Sequence, residues 1–335
     1  MNAERGDLPV KPESKRPEYR FNRETEHRLK GFKAYLTQLG NGGSTVGQKS
    51  NYTGYFLQWL ENERLQPEDA QYNDLLDFID HCTLEGQSRK HINSKLRSIR
   101  NFYQYLKKQY PGIINPAANL YIKGIRHNLP LNATDYRELE QLYHSFDSGD
   151  NRGKRNKAIL GLLIYQGITT EELHRLETGH LKLKEGKIHI PGNRRRNNRT
   201  LELKPFQILP LYEYVSEVRP QIIEQITQPK PARKPDKIDK AKLENQLFVS
   251  INGSENLKNS LLHLFKAVQK TNPQIRNPKQ IRASVITNWL KTCNLRQVQY
   301  MAGHKYVSST ERYQSSNLEN LQNKVEKCHP LNGNF

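Results

Sequence analysis

The apolar positions between Glu24 and Asn119 recur at helical intervals. They fall into four stretches, and breaks that contain Gly or Pro separate most of these stretches. The fourth stretch begins near Ser88 and ends at Pro111-Gly112, with apolar positions at Ile92, Leu96, Ile99, Phe102, Tyr103 and Leu106. We therefore predict a four-helix domain over residues 24–120, preceded by a flexible polar arm over residues 1–23.

The pattern after residue 133 mixes helical and strand periodicities. Helices are predicted around Leu139, over 158–165, from Pro205, and over 257–268. Short alternating segments predict strands at 180–183, 187–190, 200–203 and 247–250. The predicted fold is mainly α with a small β-sheet, and its second domain spans residues 134–328. A basic linker at 121–133 joins the domains, and residues 329–335 form a tail.

Composition narrows the choice of partner. The 335 residues include 53 Lys and Arg against 34 Asp and Glu, which gives a formal charge of +19. Such an excess along the whole chain predicts a polyanionic partner, most commonly nucleic acid. No apolar run is long enough to span a membrane and the N-terminus lacks a signal-peptide core, so we expect a cytoplasmic, nucleoid-associated protein.

The positions of the three cysteines indicate no further chemistry. Cys82, Cys293 and Cys328 are far apart and lack metal-ligand spacing, so we expect neither a disulfide framework nor a metal site.

The fourth predicted helix carries basic residues opposite its apolar stripe. No acidic residue occurs between Arg89 and Lys108, whereas a merely solvated face would normally mix both signs. A face of one sign suits a DNA backbone or major groove, and a linker that crosses a duplex would be basic as well. The predicted DNA contacts are Arg89, Lys90, Lys95, Arg97, Arg100, Lys107, Lys123 and Arg126.

A second constellation lies near the C-terminus. Lys279, Arg282, His304 and Tyr313 fall within thirty-five residues, in segments that read as helical. A tyrosine hydroxyl, with an ordinary pKa near 10, needs a neighbouring base and fixed positive charge to attack a phosphodiester. Arginine presents a planar fork of donors to phosphate oxygens, and such donors help most where charge develops in the transition state.

These residues resemble the C-terminal signature of the tyrosine recombinases, the phage integrase family. The shared pattern is Lys-x-x-Arg, Gly-His twenty-two residues after the arginine, and Tyr nine residues after the histidine. The resemblance covers about residues 24–328 and implies a core-binding domain and a catalytic domain that form a C-shaped clamp on duplex DNA. It implies that Tyr313 attacks the scissile phosphate, Arg282 clamps it, and His304 assists proton transfer or stabilises charge. Lys279 would occupy a position that is usually histidine.

Two positions depart from the family pattern. The segment Gln166-Gly167-Ile168-Thr169 resembles a family motif that contains the first of two phosphate-clamping arginines. In this sequence Thr169 stands at the position of that arginine. The hairpin lysine that protonates the departing 5′ oxygen is expected where Asn193 stands. Loss of one such donor typically slows catalysis about a hundred- to a thousandfold.

The candidates for substitute charge are Arg175, Arg194, Arg195 and Arg196. Arg175 could equally be a surface residue, and the three hairpin arginines could equally grip phosphates without catalysis.

Three functions remain open. The first is an integrase-type site-specific recombinase of a mobile element, acting as a tetramer on paired sites, with neither metal nor cofactor implied. The second is a DNA-binding architectural paralogue that has lost cleavage and acts beside an active recombinase. The third is a type IB topoisomerase-like nicking-closing enzyme. A final helix through Leu318, Leu321 and Val325 would cap its own domain or, as the resemblance favours, dock on a neighbouring protomer.

Overall fold

The computed structural model describes residues 21–124, 134–228, 240–253 and 257–314. These residues form two compact units, one up to residue 124 and one from residue 134, and the division falls within the linker predicted at 121–133. Four predicted features lie outside the described residues: most of the arm, Arg126, the final helix and the tail.

The first unit contains the four predicted helices. They are α1 Arg23–Gln38, α2 Gly43–Asn62, α3 Tyr72–Leu84 and α4 Arg89–Gln109. The side chain of Asn22 caps α1 and that of Ser88 caps α4. The apolar stripes meet in an aromatic core built around Phe32, Phe56, Phe78 and Phe102, all fully buried.

Lys95 corrects one of the predicted DNA contacts. Its side chain is buried, and Nζ lies 3.1 Å from the centroid of the Tyr55 ring and 3.7 Å from Sγ of Cys82. Burial lowers the pKa of Lys95 to about 8. The prediction was wrong because Lys95 lies one helical turn from both Ile92 and Ile99, on the edge of the stripe that faces the core.

Arg100 also has a structural role. It is partly buried, and its guanidinium donates to the carbonyl oxygens of Ala117 at 3.0 Å and Leu120 at 2.9 Å. Arg100 therefore ties the segment after α4 to that helix. The other described members of the predicted basic face are exposed: Arg89, Lys90, Arg97, Lys107 and Lys123.

The second unit is mainly helical, and α6 is its central helix. Its helices are α5 Tyr136–Ser145, α6 Asn151–Tyr165, α7 Thr170–Arg175, α8 Pro205–Glu213, α9 Arg219–Thr227, α10 Lys240–Asn245, α11 Lys258–Thr271, α12 Pro278–Thr292 and α13 Leu295–Ala302. Residues 308–314 form a further helical segment. Every residue from Ala158 to Tyr165 is buried, because α5, α8 and α12 all pack on α6.

A three-stranded antiparallel sheet lies beside these helices, in the order β1 Leu181–Lys182, β2 Lys187–Ile190 and β3 Arg199–Glu202. Ile188 pairs with Leu201 across β2 and β3. Burial alternates along β3, so Arg199 and Leu201 point into the core while their neighbours are exposed. The mainly α fold with a small sheet is thus confirmed.

The strand predicted at 247–250 does not form. Leu247 and Val249 are fully buried, but the Tyr214 hydroxyl donates to the carbonyl of Leu247 and accepts from the backbone N–H of Val249, both at 3.1 Å. A side chain therefore satisfies backbone groups that a sheet ladder would otherwise have to satisfy.

None of the helices within the described ranges is long and apolar enough to cross a membrane.

Candidate active site

Helix α12 carries Arg282 into the interior of the second unit. Asn277 caps the helix by accepting from the backbone N–H of Gln280 at 3.0 Å. The Arg282 side chain is buried, and its guanidinium donates to the carbonyl oxygens of Gly167 and Ala302. These contacts hold the arginine between the segment before α7 and the end of α13.

Gly303 ends α13 and places His304 beside that arginine. Its φ of +65° lies in the left-handed region, and a Cβ atom there would lie 2.4 Å from Nη1 of Arg199. Nε2 of His304 lies 3.2 Å from Nη2 of Arg282, and Nδ1 lies 2.9 Å from Oγ1 of Thr310. Because a guanidinium only donates, Nε2 is the acceptor, and we infer that Nδ1 carries the hydrogen.

Tyr313 lies in the helical segment that follows. Its ring stacks on the His304 ring, with centroids 5.9 Å apart and 14° between the planes. A cleft of about 290 Å³ opens here, with Arg196, His304, Arg312 and Tyr313 among its lining residues. We call it the tyrosine cleft.

A buried ion pair lies behind the cleft. Nη1 of Arg199 lies 2.6 Å from Oε1 of Glu172, and both side chains are at most 1% exposed. Arg282 Nη1 lies 4.0 Å from the other oxygen of the same carboxylate. Burial alone would raise the pKa of Glu172, but its hydrogen bonds and ion pair with Arg199 lower that pKa to about 2. Glu172 is therefore ionised near neutral pH.

Thr169, where the resemblance led us to expect an arginine, is engaged in local hydrogen bonds. It caps α7, and its hydroxyl donates to Oε2 of Glu172 at 2.9 Å while accepting from the backbone N–H of Glu172 at 3.2 Å. The segment before α7 therefore contributes no side-chain positive charge at this position.

The site is strongly electropositive. Burial, with the nearby charges of Arg196 and Arg199, lowers the pKa of Arg282 to about 9. Burial and the charges of Arg282, Arg196 and Arg199 lower the pKa of His304 to about 3. The imidazole is therefore neutral near neutral pH.

The three predicted arginines of the hairpin between β2 and β3 differ in solvent exposure. Arg194 and Arg195 are exposed, whereas Nη1 of Arg196 is buried with no hydrogen-bond partner among the described residues. Asn193 and Arg196 pair through their backbones, and Arg196 also forms a backbone bridge with His304. Asn193 therefore shapes the hairpin tip that brings Arg196 to the cleft.

Two predicted site residues lie elsewhere. Lys279 is exposed in the first turn of α12, and the residues lining the tyrosine cleft do not include it. Arg175 is also exposed, and its guanidinium pairs with Glu171 at 3.0 Å, so it does not line the cleft either.

Three residues that contact the site were not predicted from the sequence: Arg199, Glu172 and Thr310. Arg199 occupies an inward position of β3, in phase with Leu201, and a basic residue at such a position signals a buried carboxylate partner. Thr310, fully buried, has no comparable sequence signal.

Among the described residues, no group of His, Cys, Asp or Glu is arranged to hold a metal ion.

An arginine, a neutral histidine and a tyrosine at an electropositive cleft are typical of enzymes that attack a phosphodiester with a tyrosine. The family model described as "Phage integrase family" matches residues 132–320, and that described as "Phage integrase, N-terminal SAM-like domain" matches residues 54–110. The chain belongs to the phage integrase family, the tyrosine recombinases, which break and rejoin DNA strands.

Curated relatives and solved structures agree with this assignment. Tyrosine recombinase XerC of Pelotomaculum thermopropionicum is 26% identical over 84% of this chain and 90% of its own length. Tyrosine recombinase XerD of Listeria innocua is 24% identical over 88% of this chain and 95% of its own length.

Two solved structures share the fold. The crystal structure of XerH recombinase in a post-cleavage complex with a palindromic difH substrate superposes with a TM-score of 0.65 at 17% identity, covering 84% of this chain and 78% of XerH. The Tn1549 transposon integrase in complex with transposon right end DNA gives a TM-score of 0.60 at 16% identity, covering 90% of this chain and 98% of the integrase.

Proposed function

We propose that this chain is a catalytically active, integrase-type site-specific recombinase with Tyr313 as its nucleophile. The observation that carries the proposal is the convergence of Tyr313 and His304 at one electropositive cleft, with Arg282 buried directly behind His304. A fold retained only for DNA binding would not require a tyrosine stacked on a neutral histidine that accepts from a buried arginine.

In the proposed step, Oη of Tyr313 attacks the scissile phosphorus. A phosphotyrosyl O–P bond forms at the 3′ end, the bond from phosphorus to the 5′ oxygen breaks, and a 5′ hydroxyl is released. The phenol loses one proton and the 5′ oxygen gains one, so the reaction consumes no net proton. Rejoining reverses these steps, and the phosphodiester energy stays in the protein–DNA bond.

His304 is the proposed acceptor of the phenolic proton, because Nε2 carries no hydrogen in the inferred tautomer. In this step Nε2 exchanges its hydrogen bond from Arg282 for one from the Tyr313 hydroxyl. The positive charges around His304 weaken it as a base in the free protein. An anionic phosphate beside those charges would offset them, so we expect the basicity of His304 to rise when DNA binds.

Arg282 is the proposed phosphate clamp. An arginine has five N–H donors, and its described hydrogen bonds to Gly167, Ala302 and His304 use three of them. In the proposed complex, the remaining donors bind the non-bridging oxygens of the phosphate. Lys279, exposed on the same helix, is proposed only as a DNA-backbone contact.

The exposed basic residues of the first unit are the proposed DNA-backbone contacts: Arg89, Lys90, Arg97, Lys107 and Lys123. Arg126 remains a sequence-based proposal of the same kind. With the second unit they would form a clamp around the duplex, and a tetramer on paired sites would exchange strands. An origin in a mobile element and association with the nucleoid belong to the same proposal.

The first test is covalent trapping. Binding sites are selected from a random duplex library with the Tyr313→Phe protein, and nicked versions of these duplexes are incubated with the wild-type chain and denatured. We expect a protein–DNA adduct from the wild type and none from Tyr313→Phe, with equal DNA affinity. Tyr306→Phe is the matched control, because Tyr306 also lines the cleft, and it should retain the adduct.

A wild-type chain that binds selected sites tightly yet yields no adduct would contradict the proposal. That result would support the architectural paralogue, which the commitment of Thr169 to helix capping favours.

A further inference from the structure

The proposed cleavage would be faster with a second phosphate-binding cation beside Arg282. The proposed reaction builds negative charge on the non-bridging oxygens, and a single arginine donates from only one side. The Thr169 side chain lacks this charge and is engaged with Glu172. A substitute must therefore reach the cleft from another element.

Arg199 is close enough but is already engaged. It forms the buried ion pair with Glu172, and its side chain is 0% exposed. It lies behind the cleft and is not among the residues that line it. Arg199 therefore supports the site from behind, because its charge is already paired with Glu172.

Arg196 differs from Arg199 on each of these points. It lines the tyrosine cleft with His304 and Tyr313, and Nη1 is shielded from solvent without a hydrogen-bond partner among the described residues. A buried donor without a partner is costly, and a ligand that supplies the acceptor removes this cost.

The backbone fixes Arg196 at this point. Asn193 N–H donates to the Arg196 carbonyl at 2.9 Å, and Arg196 N–H donates to the Asn193 carbonyl at 3.2 Å. Asn197 N–H donates to the carbonyl of Gly303 at 3.1 Å, next to the backbone bridge between Arg196 and His304. The hairpin tip and the histidine turn are therefore joined, and the backbone of Arg196 is held beside that of His304.

The local charge balance also favours an anion. The guanidinium groups of Arg196, Arg199 and Arg282 influence His304, and Glu172 is the carboxylate that faces them from behind. Glu171 lines the cleft as well, but it pairs with Arg175. An excess of fixed positive charge beside a donor without a partner is the arrangement that a phosphate fits.

We propose that Arg196 is a catalytic residue of this chain, which donates to a non-bridging oxygen of the scissile phosphate alongside Arg282 and so replaces the cation missing at Thr169. This inference rests on the proposed strand cleavage by Tyr313. It also separates Arg196 from Arg194, which is exposed and does not line the cleft. Arg195 lines the cleft as well, but its side chain is exposed.

The kinetic test compares Arg196→Ala with Arg194→Ala, which removes the same charge at an exposed position two residues away. On nicked duplexes, Arg196→Ala should form the adduct about a hundredfold or more slowly than wild type, and Arg194→Ala should stay within about threefold. Arg196→Lys should recover part of the rate. Equal rates for the two alanine variants would overturn the proposal.

A second substrate distinguishes charge stabilisation from misplacement of the hairpin. A methylphosphonate at the scissile position lacks one negative non-bridging oxygen, so the transition state needs less positive charge. The rate difference between wild type and Arg196→Ala should shrink to less than about tenfold on this substrate. An unchanged difference would assign Arg196 a purely structural role and reject the proposal.

A binding experiment requires no strand cleavage. In the Tyr313→Phe background, neutralising the scissile phosphate should weaken binding about fivefold, and adding Arg196→Ala should remove most of this sensitivity. Adding Arg194→Ala should leave it unchanged. Equal sensitivity with and without Arg196 would reject the contact. If the wild type forms no adduct, the proposed strand cleavage is rejected. The binding experiment would still decide whether Arg196 contacts the scissile phosphate, so the two failures can be told apart.

Discussion

His304 is neutral because of its surroundings. Histidine ordinarily titrates near pH 6.5, but burial and three arginines lower the pKa of His304 to about 3. Between these two pH values the unfolded chain binds a proton at this position and the folded chain does not. Folding stability contributed by the neutral imidazole is therefore present above about pH 6.5 and is lost as the pH falls toward 3.

We predict that His304→Gln lowers, by up to one, the number of protons that the chain takes up on unfolding between about pH 6 and pH 5. Between about pH 6 and pH 5, the unfolding free energy of wild type should fall more steeply than that of the variant, by up to about 1.4 kcal/mol per pH unit. Urea denaturation at several pH values measures both slopes. Parallel slopes would mean that His304 titrates normally in the folded protein.

Contacts between pairs of elements hold the proposed catalytic residues in place. Glu172 of α7 pairs with Arg199 of β3, and the Tyr300 hydroxyl of α13 accepts from the backbone N–H of Thr200 in β3 at 3.1 Å. Strand β3 is thereby tied to both helices, and the hairpin that carries Arg196 ends at β3. The two ties differ in kind, because one is a buried ion pair and the other a neutral, partly exposed hydrogen bond.

We predict that Glu172→Gln destabilises the second unit by about 3 kcal/mol, because it leaves Arg199 and Arg282 buried without a neutralising carboxylate. Tyr300→Phe removes only the neutral hydrogen bond and should cost about 1 kcal/mol. Chemical denaturation of both variants measures the two losses. Equal losses would show that the buried charge is compensated in some other way.

For the whole molecule, we expect the net charge of +19 to make DNA binding strongly dependent on salt. Neutralising phosphates releases condensed counterions, so log affinity falls linearly with log salt concentration. A clamp that contacts about eight phosphates gives a slope near −7, whereas a slope shallower than about −2 would contradict a clamp.

Two variants test which side chains of α4 contact DNA. Arg97 is exposed, so Arg97→Ala should make the salt slope shallower by about one. Lys95 is buried over Tyr55, so Lys95→Met should leave the slope unchanged. Fluorescence anisotropy over a salt series measures both slopes, and a change for Lys95→Met would reopen Lys95 as a phosphate contact.

The helical periodicity, the small sheet and the candidate site residues Tyr313, Arg282 and His304 could be predicted from the sequence, because local spacing and residue chemistry carry that information. Local patterns could not show which of several basic residues lies beside His304. Arg196 and Arg194 are two residues apart and chemically identical, and only the backbone pairing of the hairpin with the histidine turn turns one inward. The tertiary structure likewise decided that Lys95 is buried, that Arg175 pairs with Glu171, and that Arg199 neutralises Glu172. Burial and the pairing of distant charges depend on contacts between segments far apart in the chain, so no local pattern specifies them.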